Sequence, residues 1–118
     1  MVKVLVVDDE VEITEFLCNF LRRFAVDSKN ASDAKTALVI FDKFKPDWVF
    51  LDIKMPEKDG FQLLEEFKKK NSKIKAIMIT GKDDKDSQDK AKKLGALDYI
   101  VKPLDLEELH EKIKSHIL

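Results

Sequence analysis

Apolar residues fall into five short runs, separated by stretches in which they recur every three or four positions. The first run is Val2–Val7, where Val4, Leu5, Val6 and Val7 stand in series, the pattern of a strand buried on both faces. From Glu10 to Phe24, the residues Ile13, Phe16, Leu17, Phe20, Leu21 and Phe24 keep helical spacing. Ala25–Asn30 predicts a weaker strand near a sheet edge. Ser32 is the expected N-cap of a second helix that turns Ala34, Ala37, Leu38, Phe41 and Phe44 inward. Pro46 stops that helix, and Trp48-Val49-Phe50-Leu51 reads as a buried strand. Phe61, Leu64 and Phe67 mark a third helix, closed by Lys68-Lys69-Lys70 as a solvated, dipole-compatible end. Ile74–Ile79 is the fourth predicted strand. Asp84–Leu94 has helical propensity but only Ala91 and Leu94 as apolar anchors, so it is expected to be held loosely, as switching elements are. Leu97–Val101 is the fifth strand. Asp105, with Glu108 three residues on, opens a last helix carrying Leu106, Leu109, Ile113 and Ile117.

Strands regularly separated by helices imply βαβ units with right-handed crossovers. The expected fold is α/β: a doubly wound, five-stranded parallel sheet of flavodoxin-like order 2-1-3-4-5, with helices on both faces. The 118 residues predict one domain, 1–118, and 44% hydrophobic content supplies a core without metal or disulfide. Lys+Arg of 22 against Asp+Glu of 23 gives a net charge of −1, which disfavours a dedicated nucleic-acid binder. The single Cys18 excludes an internal disulfide framework and suits a reducing cytosol; off the main apolar stripe, it is expected to be partly exposed. No apolar run approaches ~18 residues, so no membrane span is predicted and the expected location is cytoplasmic.

The polar residues that break the pattern recur at one place in it. Asp8 and Asp9 follow strand one, Asp52 closes strand three, Thr80 closes strand four and Lys102 follows strand five. The C-terminal strand ends of a doubly wound sheet line its ligand crevice, so residues far apart in the chain are predicted to meet there. Converging carboxylates repel: two unit charges ~4 Å apart cost about 4 kcal/mol at an effective dielectric near 20. An oxygen-ligated Mg²⁺ offsets that and would also neutralise the oxygens of an incoming phosphoryl group. Lys102 adds a second positive charge, Thr80 a hydroxyl donor, and Gly81 room for a phosphoryl group beside the backbone. Asp52 is then the expected nucleophile, forming an acyl phosphate.

The stretches VLVVDDE at 4–10, VFLDIKMPEKDG at 49–60, IMITG at 77–81 and GALDYIVKPLD at 95–105 span nearly the whole chain. With them the sequence resembles the receiver domain of two-component response regulators, of the single-domain type used in bacterial chemotaxis and phosphorelays. The resemblance implies that Asp52 accepts phosphate from a phosphohistidine on a sensor histidine kinase or histidine phosphotransfer protein. It implies that Asp9 and Asp52 ligate Mg²⁺ with the backbone carbonyl of Lys54, Asp8 acting mostly through metal-bound water. Thr80 and Tyr99 are the implied switch pair, the ring moving inward as the hydroxyl turns to the phosphoryl oxygen. The Lys102–Pro103 bond is expected to be cis. The face built from helix 84–94, strand 97–101 and helix 105–118 is the implied docking surface for a downstream protein, without nucleic-acid or membrane contact. The only catalysis expected is the domain's own phosphorylation and autodephosphorylation, and no output domain is expected after the last helix. Lys54 and Lys82, two places after the acceptor and after Thr80, should flank the phosphoryl group, crowd hydrolytic water and lengthen the phosphate's life.

Three other functions fit less well. An aspartyl phosphohydrolase of the haloacid dehalogenase type places an acid–base Asp two residues after its nucleophile, where this chain has Lys54. A phosphorylation-independent module of receiver shape usually loses an acidic-pair member, the acceptor or the lysine, and all are present. A flavodoxin-like cofactor binder needs a Gly-rich phosphate loop after strand one, where Asp8-Asp9 stands instead. His110 and His116, six apart on one helix and without a Cys partner, are not expected to bind metal.

Overall fold

Strand and helix alternate throughout the computed structural model, which describes residues 1–118. The elements are β1 (Lys3–Val7), α1 (Val11–Arg22), β2 (Asp27–Ala31), α2 (Ala34–Phe44), β3 (Trp48–Leu51), α3 (Gly60–Lys70), β4 (Lys75–Thr80), α4 (Lys85–Lys93), β5 (Asp98–Val101) and α5 (Leu106–His116). All strand pairs are parallel, and the order is β2-β1-β3-β4-β5, as expected. The chain steps from β1 to β2 on one side and then crosses to β3 on the other. That reversal opens a crevice beyond the C-terminal ends of β1 and β3. Register brings Val7 level with Leu51, Leu51 with Met78, and Thr80 with Val101, so the residues that follow these strands emerge side by side.

Alternation along the strands divides the core into two layers. Leu5, Val7, Val49, Leu51 and Met78 face α2 and α3, where Ala37, Phe41, Leu63, Leu64 and Phe67 complete one layer. Val4, Val6, Phe50, Ile77 and Ile79 face α1 and α5, and Leu17, Leu21, Leu109 and Ile113 complete the other. Phe41 and Phe67 stack at 4.3 Å between centroids and tie α2 to α3. Each fully buried side chain of this size contributes roughly 1.5–3 kcal/mol, which fixes the sheet on which the site depends. β2, with the burial pattern of only one fully buried residue, is the weak edge strand the composition predicts. No helix is long and apolar enough to cross a membrane.

Several local expectations are corrected. α2 is capped by Asp33, whose carboxylate accepts from Thr36 N–H at 2.7 Å; Ser32 lies one residue too far out. Cys18 is buried rather than partly exposed, because α1 leans over edge strand β2 and covers Thr14 and Cys18 as well as its apolar stripe. Asn30 Nδ2 lies 3.8 Å from the Cys18 sulfur. Phe16 and Leu106 keep helical spacing yet stay exposed, since spacing does not say where the sheet beneath a helix ends. Lys68 is half-buried rather than fully solvated, its ammonium donating to the Ile74 carbonyl at 2.7 Å. At α5, Asp105 accepts from the Glu107 and Glu108 amides without the reciprocal bond of a capping box. The full box is at α3, between Asp59 and Gln62. α4 buries only Ser87 and Ala91, in keeping with its sparse anchors. The Lys102–Pro103 peptide bond is cis, as expected.

Candidate functional site

Backbone bonds that extend the sheet past its strands fix the crevice residues. Asp8 N–H donates to the Ala31 carbonyl at 3.2 Å, and Asp52 N–H to the Val7 carbonyl at 3.0 Å. Lys102 N–H donates to the Thr80 carbonyl at 2.8 Å. Asp8, Asp52 and Thr80 are buried in consequence, an unusual position for two carboxylates. The loop after Asp52 returns at Gly60, whose N–H donates to the Ile53 carbonyl at 2.8 Å. A Cβ at Gly60 would stand 2.1 Å from the Asp52 carbonyl oxygen, so only glycine permits this close approach.

The Lys102 ammonium joins three acids. Its Nζ lies 2.6 Å from Asp8 Oδ2, 2.8 Å from Glu10 Oε1 and 3.1 Å from Asp52 Oδ2. Burial works against the charged lysine, but hydrogen bonds to Asp8, Glu10 and Asp52 outweigh it, so its pKa rises above the ordinary value. Asp8 is pushed up to about 6, chiefly by burial, with bonds from Lys102 and the Glu10 amide pulling the other way and the Asp52 charge adding to the rise. Three carboxylates against one ammonium leave the crevice with excess negative charge. Asp52 Oδ1 is buried and has no partner at all. Carboxylate oxygens of Asp8, Glu10 and Asp52 lie within 4.8 Å of one another. A hard divalent cation fits this oxygen donor set, and the orphaned Asp52 oxygen is the observation that calls for a further cation or donor.

The other predicted residues lie around this cluster. Asp9 is exposed, and with Lys54, Asp59 and Lys82 it borders an open cleft of about 430 Å³ beside Asp52. The two lysines expected to flank the acceptor are therefore brought together, and Asp9 faces them rather than the Lys102 cluster. Thr80 Oγ1 accepts a long bond, 3.4 Å, from Lys82 N–H and has no acceptor for its own proton. The Tyr99 hydroxyl donates to the Lys82 carbonyl at 2.6 Å, pinning the loop between β4 and α4. Burial, then the charges of Asp84, Asp52 and Asp83, push this phenol up to about 12, so it acts only as a neutral donor. Glu10 is the crevice residue that the sequence analysis missed. Its one signal was the unbroken acidic run Asp8-Asp9-Glu10 at a strand end.

Comparison with known proteins agrees with this geometry. A family model described as response regulator receiver domain matches residues 4–114. The chain is 32% identical over 115 residues to sporulation initiation phosphotransferase F of Bacillus subtilis, covering 98% of this chain and 93% of that protein. It is 33% identical over 108 residues to the regulatory protein AtoC of Escherichia coli, covering 92% of this chain but 23% of that longer protein. Against other curated relatives, such as a probable transcriptional regulator of Porphyridium aerugineum, it spans about half their length, 47%. Among solved structures, a CheY-like receiver domain protein of Methanospirillum hungatei superposes with a TM-score of 0.90 at 30% identity, covering 98% of this chain and 92% of that one. With the crevice acids, the lysine and the sheet order in place, the chain belongs to the response regulator receiver domain family, the phosphorylation-dependent switches of two-component signalling.

Proposed function

We propose that Asp52 is the phosphoacceptor, receiving its phosphoryl group from a phosphohistidine on a sensor histidine kinase or a histidine phosphotransfer protein. The single observation that carries this is the buried, unpartnered Asp52 Oδ1 beside a carboxylate oxygen already held by Lys102. A buried carboxylate oxygen with no other partner is the nucleophile such a transfer needs. An Asp52 oxygen attacks phosphorus in line, and the P–N bond to the imidazole breaks with its electron pair left on nitrogen. The product is an aspartyl phosphate.

Asp9 and Asp52 would hold Mg²⁺ with the Lys54 carbonyl, as the resemblance implies, and the place of Asp8 beside Asp52 at Lys102 would bring its carboxylate into the same set. When bound, the ion supplies charge neutralisation to the phosphoryl oxygens. Lys102 contributes the second cation and stays with the phosphoryl group after transfer. Thr80 offers its unspent hydroxyl proton to a phosphoryl oxygen. Because Tyr99 is anchored to the same loop through Lys82, a turn of Thr80 is felt by the ring and by α4. Lys54 and Lys82 cover the approach of hydrolytic water and slow autodephosphorylation.

The output surface is α4, β5 and α5, within helix 84–94, strand 97–101 and helix 105–118. Exposed Leu97 and Leu106 and a cleft of about 500 Å³ lined by Ala91, Lys92, Leu97 and Tyr99 support docking of a downstream protein there. Residues 1–118 act as one receiver unit, working in the cytoplasm. The test is intact mass after incubation with acetyl phosphate and Mg²⁺. One phosphoryl group is expected on the parent and none on Asp52→Asn; equal modification of the variant refutes the acceptor assignment.

A further inference from the structure

Glu10 occupies the N-cap of α1, yet its side chain caps nothing. N-cap side chains that serve the helix are short, and their oxygen meets the N2 or N3 amide. Glu10 instead extends across the crevice to Lys102, 92 residues away, with Oε1 2.8 Å from Nζ. The backbone from which it reaches is fixed. Its N–H donates to Asp8 Oδ1 at 2.9 Å, and its carbonyl accepts from the Ile13 and Thr14 amides. Glu10 is also the outermost of the three acids, its side chain 61% exposed against 3% for Asp8 and 6% for Asp52.

The ammonium has three protons to donate and, in this structure, three carboxylates to receive them. A divalent cation would claim the two buried acids, Asp8 and Asp52. Asp52 has an oxygen, Oδ1, that Lys102 does not hold, so the ammonium could keep a bond to Oδ2, but both buried acids would then share their charge with a dication that repels the ammonium. Glu10, exposed and outside that buried pair, is the one carboxylate on Lys102 that would keep its full charge for it. We propose that Glu10 is a positioning residue whose carboxylate retains the Lys102 ammonium at the acceptor when a divalent cation takes Asp8 and Asp52. The inference rests on Asp52 being the phosphoacceptor.

The test uses the full chain and Glu10→Gln, a substitution of equal size at an exposed side chain. In ¹⁵N-lysine NMR spectra, with the Lys102 ammonium signal assigned by its absence in Lys102→Ala, the parent retains that slowly exchanging signal when saturated with Mg²⁺. Glu10→Gln is expected to show it without metal and to lose it when Mg²⁺ is added. Phosphorylation by acetyl phosphate at saturating Mg²⁺ should slow about tenfold, the equivalent of one charge-assisted hydrogen bond. In a Lys102→Ala background, Glu10→Gln should change the rate less than about twofold, because a residue that acts through Lys102 has nothing left to position. The proposal is overturned if the ammonium signal survives Mg²⁺ in Glu10→Gln, or if the rate falls equally in both backgrounds. It is also overturned if Mg²⁺ affinity, measured by calorimetry, drops tenfold or more, which would make Glu10 a ligand. If Asp52 were not the acceptor, the parent would carry no phosphate there, while the NMR comparison would still report on the tether.

Discussion

Gly60→Ala should displace the phosphoacceptor from behind. A Cβ on Gly60 falls 2.1 Å from the Asp52 carbonyl oxygen, 2.9 Å from its carbonyl carbon and 3.0 Å from Ile53 Cα. Ordinary carbon–oxygen approaches begin near ~3.3 Å, so relief demands a shift of about 1 Å. Every atom in the way is backbone, and no rotamer change can make room. Either the start of α3 moves out, stretching the 2.8 Å bond from Gly60 N–H to the Ile53 carbonyl, or the Asp52 peptide moves within the crevice. Overpacking of this kind costs about 1–3 kcal/mol, and a weakened buried hydrogen bond adds about 1 kcal/mol. A total near ~3 kcal/mol lowers Tm by roughly 10 °C in a domain of this size. A carboxylate misplaced by ~1 Å also loses its in-line geometry, and phosphorylation should slow by up to about 100-fold. Circular dichroism melting and acetyl-phosphate kinetics read the two effects. Gly81→Ala is the comparison for stability, because a Cβ there meets nothing within 4 Å, and its Tm should stay within ~2 °C of the parent. A Gly60→Ala protein that melts within ~3 °C of the parent and is phosphorylated at the parental rate would refute the close-approach account.

Lys54→Asn and Lys82→Glu should each shorten the phosphoprotein's half-life, Lys54→Asn the more, because both lysines border the cleft that Ile53, the residue after Asp52, also lines, and Lys54 stands nearer the acceptor along the chain. Half-lives equal to or longer than the parent's in both variants would remove the crowding explanation. Asp98 provides the pH-dependent prediction. Burial raises its pKa, but bonds from Lys112, His116 and the Tyr99 amide overcome that and hold it below the ordinary value of 3.8. A depressed carboxylate stabilises the fold above its unfolded pKa, and that contribution is lost as pH falls through the folded value. Asp98→Asn should therefore cost at most about 1 kcal/mol at neutral pH after solvent screening. The gap in Tm should close as pH is taken below 3.8. A constant gap from neutral to acidic pH would show that packing, not charge, is what the substitution removes.

Much of this protein could be read along the chain. Continuous apolar runs such as Trp48-Val49-Phe50-Leu51 suit only strands covered on both faces, and their alternation with amphipathic stretches leaves a parallel doubly wound sheet as the consistent arrangement. Because ligand crevices form at the C-terminal strand ends, the strand positions of Asp8, Asp52, Thr80 and Lys102 alone mark them as one group. Periodicity records a residue's angle on its own helix and nothing of what lies across from it. The burial of Cys18 depended on how far α1 leans over β2, and the exposure of Leu106 on what lies beneath the first turn of α5. Ser32 and Asp33 are both capping residues, and only the backbone's point of entry into α2 selected the second.

Residue type and strand position determined that a crevice of acids with one lysine would exist. Tertiary structure alone decided how those charges are shared, because hydrogen-bond partners are set by distances of a few tenths of an ångström between segments distant in sequence. It drew Glu10 to Lys102, left Asp9 facing Lys54 and Lys82, and left one Asp52 oxygen buried without a partner.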